Sequence, residues 1–175
     1  MLPSRICIKS PIQRYSADYL STVYEASEQD TDRAVAAAKA AFPAWSGLTV
    51  EQRGSYLKKL AKLIYENNDE LASLEAISMG RPKSRYFDAM ECARRFEHFA
   101  EAGYEVQGTT SVQTPGFINM TFRQPYGVVA AIIPWNAALI FLAGKLAPAL
   151  IVGNTVVLKS SEKAPLTVSR SQSSS

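Results

Sequence analysis

Gly127-Val128-Val129-Ala130-Ala131-Ile132-Ile133-Pro134-Trp135-Asn136, the apolar segment Leu139 to Leu150, and Gly153-Asn154-Thr155-Val156-Val157-Leu158-Lys159 together decide how this chain folds. The run Val128 to Ile133 is short, apolar and closed by Pro134, as expected of a strand buried on both faces. Leu139 to Leu150 has the length of a helix, with Pro148 near its carboxyl end and Gly153 and Asn154 as stop residues. Thr155 to Leu158 is a second, β-branched strand. Strand, helix and strand from Gly127 to Lys159 have the size of a right-handed crossover in a parallel sheet. Both strands of such a unit end on the same edge of the sheet. Trp135 and Asn136 are therefore expected beside the segment Lys159 to Glu162, at the edge where open α/β sheets bind ligands.

Upstream the chain reads as helical. Ser27 with Asp30 forms a capping box, and an Ala-rich helix through Ala41 should stop near Pro43. Thr49 with Gln52 repeats the pattern, and Leu57, Leu60, Ala61 and Ile64 then share a face opposite Lys58, Lys59 and Lys62. A third helix follows Asn67 and Asn68 and ends at Gly80 and Pro82, and a fourth is expected from Ser84 to Ala102. Beyond Gly108 the pattern becomes extended, and Phe117 to Arg123 alternates like a strand with apolar residues on both faces.

Composition narrows the function. The 175 residues carry 19 basic and 16 acidic side chains without a dense basic run, which gives no footprint for nucleic acid. The apolar stretch from Val128 to Leu158 is cut by Pro134, Asn136, Lys145, Pro148 and Asn154 into pieces shorter than the roughly 20 residues a membrane span requires. Cys7 and Cys92 are the two cysteines and have neither metal-ligand nor disulfide-framework spacing, so no metal is expected and a reduced, cytoplasmic setting suits the chain. Met1 to Ala17 is free of acids and faintly resembles a mitochondrial presequence, but Pro3 and Pro11 oppose the amphipathic helix such a signal needs. Cys92 shares a helical stripe with Phe96, Phe99 and Gly103 and reads as core. His98, among charged neighbours and without a nucleophile beside it, reads as solvated or half-buried.

At the expected edge, Lys159 can supply a cation to a ribose or phosphate oxygen, Glu162 an acceptor for ribose hydroxyls, and Asn136 an amide donor. Taken alone, a Lys and a Glu after a strand also suit a plain surface pair, and no G-x-G-x-x-G motif is present. Residue strings separate the two readings. Pro125-Tyr126-Gly127 through Pro134-Trp135-Asn136, then Lys145-Leu146-Ala147-Pro148-Ala149-Leu150, then Gly153-Asn154-Thr155 through Lys159-Ser160-Ser161-Glu162 are similar throughout to the aldehyde dehydrogenase superfamily. The resemblance reaches back through Ser78-Met79-Gly80-Arg81-Pro82, Arg53 and Trp45, and covers Tyr24 to Val168.

The resemblance implies an α/β fold: an amino-terminal helical portion, then the first strand-helix-strand crossover of an aldehyde dehydrogenase-type Rossmann domain, incomplete here. It implies that Ile132, Ile133, Pro134, Trp135 and Asn136 line the nicotinamide half of a cofactor cleft. Lys159, Ser160, Ser161 and Glu162 would hold the adenosine ribose, and Asn136 would be the oxyanion-hole amide. The implied cofactor is NAD, with NADP open, although a carboxylate in the ribose position repels a 2′-phosphate. The implied reaction is thiolate attack on an aldehyde, hydride transfer to the nicotinamide and hydrolysis by a glutamate-activated water. In the family that cysteine and that glutamate lie beyond this stretch, so the chain alone is expected to be inert. Ala137 and Ala138 replace an aromatic and a proline that the family often has, and Ser160 replaces its usual proline.

Outside the resemblance, residues 1–23 read as an atypical amino-terminal segment and residues 169–175 as a disordered Ser-rich tail. That is the pattern of a truncated gene product, mistaken exon boundaries or a short isoform. The alternative function is a non-catalytic interaction protein that pairs with a full-length relative, as a homo- or hetero-oligomer.

Overall fold

A computed structural model describes residues 26–168, so the expectations for residues 1–23 and 169–175, and for Cys7, lie outside the described residues. The element order is α1 (Glu28–Ser46), α2 (Val50–Glu66), α3 (Asn68–Met79), α4 (Asp88–Ala102), β1 (Thr110–Ser111), β2 (Asn119–Met120), β3 (Val128–Ile132), α5 (Ala138–Ile151) and β4 (Thr155–Lys159). Both capping boxes form. Ser27 accepts from the Asp30 amide while Asp30 reaches back to the Ser27 amide, and Thr49 and Gln52 do the same for α2. Each satisfies amide donors that a helix start would otherwise leave unpaired. Gly80 closes α3 in the left-handed conformation at φ 75°, which glycine adopts without a Cβ penalty.

The core lies where α2, α4 and α5 meet. Leu57, Ala61 and Ile64 of α2 face Cys92, Ala93, Phe96 and Ala100 of α4, and Leu139, Leu142, Ala143, Ala147 and Ile151 of α5 complete the cluster. Small residues let the helices approach closely. A Cβ on Gly103, just past α4, would lie 2.4 Å from Ile151 Cγ1. Burying a large apolar side chain such as Phe96 contributes about 2–3 kcal/mol by area.

β3 and β4 pair in parallel, from Val128 opposite Thr155 to Ile132 opposite Lys159, with α5 as the crossover. The expected crossover is present. Gly127 at φ 107° opens β3 in a conformation that L side chains rarely adopt.

Four local expectations are corrected. First, α1 continues through Pro43 to Ser46. A proline in the last turn removes one amide donor without interrupting the helix above it, and the Gly47 amide still closes onto the Pro43 carbonyl. Second, α4 starts at Asp88 rather than Ser84, because a 3-10 turn at Lys83–Arg85 is followed by extended backbone at Tyr86, whose ring packs against the core. Third, the alternating run Phe117 to Arg123 forms only the two-residue strand β2, antiparallel to β1. Both of its faces are partly apolar, so neither is selected for burial, and Val112, Phe117, Ile118, Met120 and Phe122 stand exposed. Fourth, β3 is not buried on both faces: Ala131 is buried, but Ala130 and Ile132 are exposed, since among the described residues β4 is its one strand neighbour.

Candidate functional site

The parallel register brings the ends of β3 and β4 together. Ile132 lies opposite Lys159, and the Ile133 amide donates to the Lys159 carbonyl at 2.9 Å. The Pro134-Trp135-Asn136 turn and the segment Lys159 to Glu162 therefore leave the sheet at one edge, its carboxyl edge, as the crossover requires. Ile132 is 66% exposed and Trp135 49% exposed, which places apolar surface beside polar groups at this edge. Asn136 is exposed and Pro134 half-buried. Ile133, in contrast, points its side chain into the core at 1% exposure, and only its backbone can meet a ligand there.

Lys159 Nζ donates to Glu162 Oε2 at 3.0 Å, with both side chains substantially exposed. A hydrogen bond from its own backbone amide, reinforced by Lys159, holds the Glu162 carboxyl below the ordinary glutamate value, so it is an anion ready to accept. An exposed pair of this kind contributes only about 0–1 kcal/mol to stability and is easily exchanged for other partners. Ser160 is half-buried, and Ser161 is buried with its Oγ accepting from the Lys163 amide at 3.2 Å. Ser161 thus shapes the loop, while Lys159 and Glu162 present the charge.

The turn that displays Asn136 is built on an unusual residue. Ala137 sits at φ 51°, ψ 46°, a left-handed conformation that costs a non-glycine residue about 1–2 kcal/mol. Its carbonyl accepts the Phe141 amide at 3.2 Å, so this residue both reverses the chain after Asn136 and starts α5. Alanine favours helix, and nothing in the string Asn136-Ala137-Ala138 signals the turn.

Two residues far away in sequence, and one just beyond the helix, fix the other end of α5. Trp45 Nε1 donates to the Leu150 carbonyl at 3.0 Å and Arg53 Nε to the Ile151 carbonyl at 2.8 Å. Arg53 also donates to the carbonyls of Leu48 and, at 3.4 Å, Ser46. A buried guanidinium surrounded by carbonyls at helix ends is stabilised by their partial negative charge. Asn154 Oδ1 accepts from the Gly127 amide at 3.0 Å while its Nδ2 donates to the Ala149 carbonyl at 3.1 Å, tying the start of β3 to the end of α5. Trp45 and Arg53 entered the sequence reading only as matched positions; their roles as clamps require the folded chain.

Other reactive groups stay out of the site. Cys92 is fully buried in the core, and burial pushes its thiol up to about 12. His98 is exposed and packs edge-on against Phe99. No group of His, Cys, Asp and Glu among the described residues is arranged to hold a metal ion.

A polar pair beside exposed apolar surface, at the carboxyl edge of parallel strands, suits a ligand carrying hydroxyls or phosphates and a flat ring. The model of the "Aldehyde dehydrogenase family" matches residues 8–172, which is wider at both ends than Tyr24 to Val168. "Aldehyde dehydrogenase 1" of Tanacetum cinerariifolium is 44% identical over 153 residues, covering 85% of this chain and 31% of the relative. The crystal structure of PnpE, a Pseudomonas sp. WBC-3 protein, in complex with nicotinamide adenine dinucleotide superposes with a TM-score of 0.83 at 42% identity, covering 95% of this chain and 34% of that one. An E. coli NADP-dependent enzyme superposes with a TM-score of 0.86 at 31% identity, covering 96% of this chain and 35% of that one. The chain thus spans about a third of the length of the relatives it matches.

Proposed function

Since this chain belongs to the aldehyde dehydrogenase family, we propose that it forms the amino-terminal part of an NAD(P)-dependent enzyme that oxidises an aldehyde to a carboxylic acid, and that its own share of the work is one wall of the cofactor cleft. The observation that carries the reading is the register placing Ile132 opposite Lys159, which sets the Trp135–Asn136 turn and the Lys159–Glu162 pair on one edge.

The residues present fit the dinucleotide. Glu162, held ionised, accepts from the ribose hydroxyls, and Lys159 donates to a ribose oxygen once its bond to Glu162 is exchanged. The exposed surfaces of Ile132 and Trp135, with the backbone of Ile133 and Pro134, border the nicotinamide side. Glu162 favours NAD over NADP, because its carboxylate would repel a 2′-phosphate. When bound, the nicotinamide supplies a hydride acceptor. The Asn136 amide donates to the aldehyde oxygen as negative charge develops there; loss of one such donor typically costs about 100- to 1,000-fold in rate. A nucleophile and a general base are also needed, and the described residues present neither at this edge: Cys92 is buried in the core, and the family places both groups farther along.

The chain by itself is therefore inert toward aldehydes and binds NAD weakly through Lys159 and Glu162. Production of NADH with simple aldehydes should be undetectable, and Lys159→Ala and Glu162→Ala should each weaken NAD binding measured by titration. Turnover that disappears in Asn136→Ala, or tight binding that survives both alanine variants, would overturn this assignment.

A cytoplasmic setting is the accompanying proposal; no helix among the described residues is long and apolar enough to cross a membrane. One observation favours a second reading, a non-catalytic partner of a full-length relative. The β1–β2 ribbon exposes Val112, Phe117, Ile118 and Met120, surface that a related subunit would cover. Co-purification with a full-length relative supports it, and failure to associate on mixing would count against it.

A further inference from the structure

Beyond the pair at the edge, a buried carboxylate on α3 reaches the end of the same loop. Glu75 on α3 is 1% exposed, and its Oε2 accepts from Thr167 Oγ1 at 2.6 Å. Thr167 is 0% exposed and lies in the helical turn at 166–168. Resting on the cofactor reading above, we infer that Glu75 is a positioning residue for the ribose-holding loop: by fixing Thr167 it sets the far end of segment 160–165 and with it the place of Glu162.

The loop has two ends. Its start is held by the sheet, through the Lys159 carbonyl that accepts the Ile133 amide, and its far end by the Glu75–Thr167 bond beside the buried Ala164 and Val168. Glu162 stands between them, braced locally by Lys159 and by the Ser161–Lys163 bond. Neither local brace ties the loop to the helical body, whereas Glu75 does.

The surroundings of Glu75 are costly for a plain packing contact. Asp88, also 1% exposed, gives one carboxylate oxygen to Arg81, while its Oδ2, Glu75 Oε1, Ser78 Oγ and Tyr86 Oη are buried without a hydrogen-bond partner among the described residues. Buried polar groups left unpaired are expensive, and an apolar pair of similar volume at positions 75 and 167 would join the elements at less cost. What an apolar pair lacks is direction. A hydrogen bond of 2.6 Å fixes the orientation of the turn as well as its distance from α3. Burial, then the Asp88 carboxylate, raises the Glu75 pKa, and the Thr167 bond and Arg81 oppose that rise.

The test uses the whole chain with Thr167→Val, which removes the hydroxyl at nearly constant volume, and Thr167→Ser, which keeps it. Hydrogen exchange in Thr167→Val should accelerate at the amides of 160–164 and stay unchanged in α2, α4 and α5. NAD affinity, followed by NMR titration, should fall about five-fold, the equivalent of one net hydrogen bond. Thr167→Ser should restore both. Unchanged exchange at 160–164, or loss of protection throughout the chain, overturns the inference. Faster loop exchange with unaltered NAD affinity, while Lys159→Ala still weakens binding, also overturns it. Affinity insensitive to Lys159→Ala as well as Thr167→Val instead removes the cofactor reading beneath it.

Discussion

Cys92 shows how environment, rather than residue type, decides chemistry. A thiol enclosed by Phe96, Ala89 and Ala143 loses the solvation that stabilises a thiolate, and its pKa rises to about 12. Near neutral pH it is almost wholly protonated and shielded. Iodoacetamide should therefore label Cys92 far more slowly in the native chain than in urea, as read by peptide mass spectrometry; equal rates would mean that the core around α4 is open. Glu162 lies at the other extreme, exposed and held ionised by its own amide and Lys159. Both assignments were legible in part. The stripe that contains Cys92 announces burial, but the pairing of Lys159 with Glu162 depends on the turn after β4, which residue identity does not reveal. Ala137 was not legible at all, because a left-handed alanine is selected by the chain reversal around it and not by its own preference.

The elements were easier to read where local chemistry is self-sufficient. Capping boxes at Ser27 and Thr49, the stop at Gly80 and the crossover all rest on signals within a few residues, and all four form. Expectations failed where distant packing decides: at the start of α4, set by burial of Tyr86, and along Phe117 to Arg123, where none of the described residues buries either face. The crossover depends on Asn154, whose amide serves both the Gly127 amide and the Ala149 carbonyl. Asn154→Ala leaves the Gly127 amide without its acceptor, while the Ala149 carbonyl keeps the Asn154 backbone amide, at a cost of about 1–3 kcal/mol for the one group kept from water. Urea denaturation should show a loss of about 1–3 kcal/mol. A loss below about 0.5 kcal/mol would show that the bridge is not needed to hold β3 to α5.

At the scale of the whole molecule, the helical body closes on itself but the sheet does not. β3 and β4 form a two-stranded sheet among the described residues, Ile132 is exposed beside it, and the β1–β2 ribbon carries uncovered apolar side chains. Unpaired strand edges next to apolar surface promote association. Light scattering on the isolated chain should show a mass that rises with concentration, and a strict monomer throughout would contradict this view of its surface. On the proposed reading a cleft needs two walls, and this stretch, about a third of the length of its relatives, would supply one. The central claim is that the carboxyl edge of β3 and β4 is that wall. NAD titrated into the isotopically labelled chain tests it most directly, because backbone amide shifts report where the ligand lies even when binding is weak. The account predicts changes concentrated at Ile132, Ile133, Trp135 and Asn136 and at Lys159 to Glu162, with α2 and the β1–β2 ribbon silent. Changes centred on α2 or the ribbon, or an edge that does not respond as NAD is raised, would contradict it.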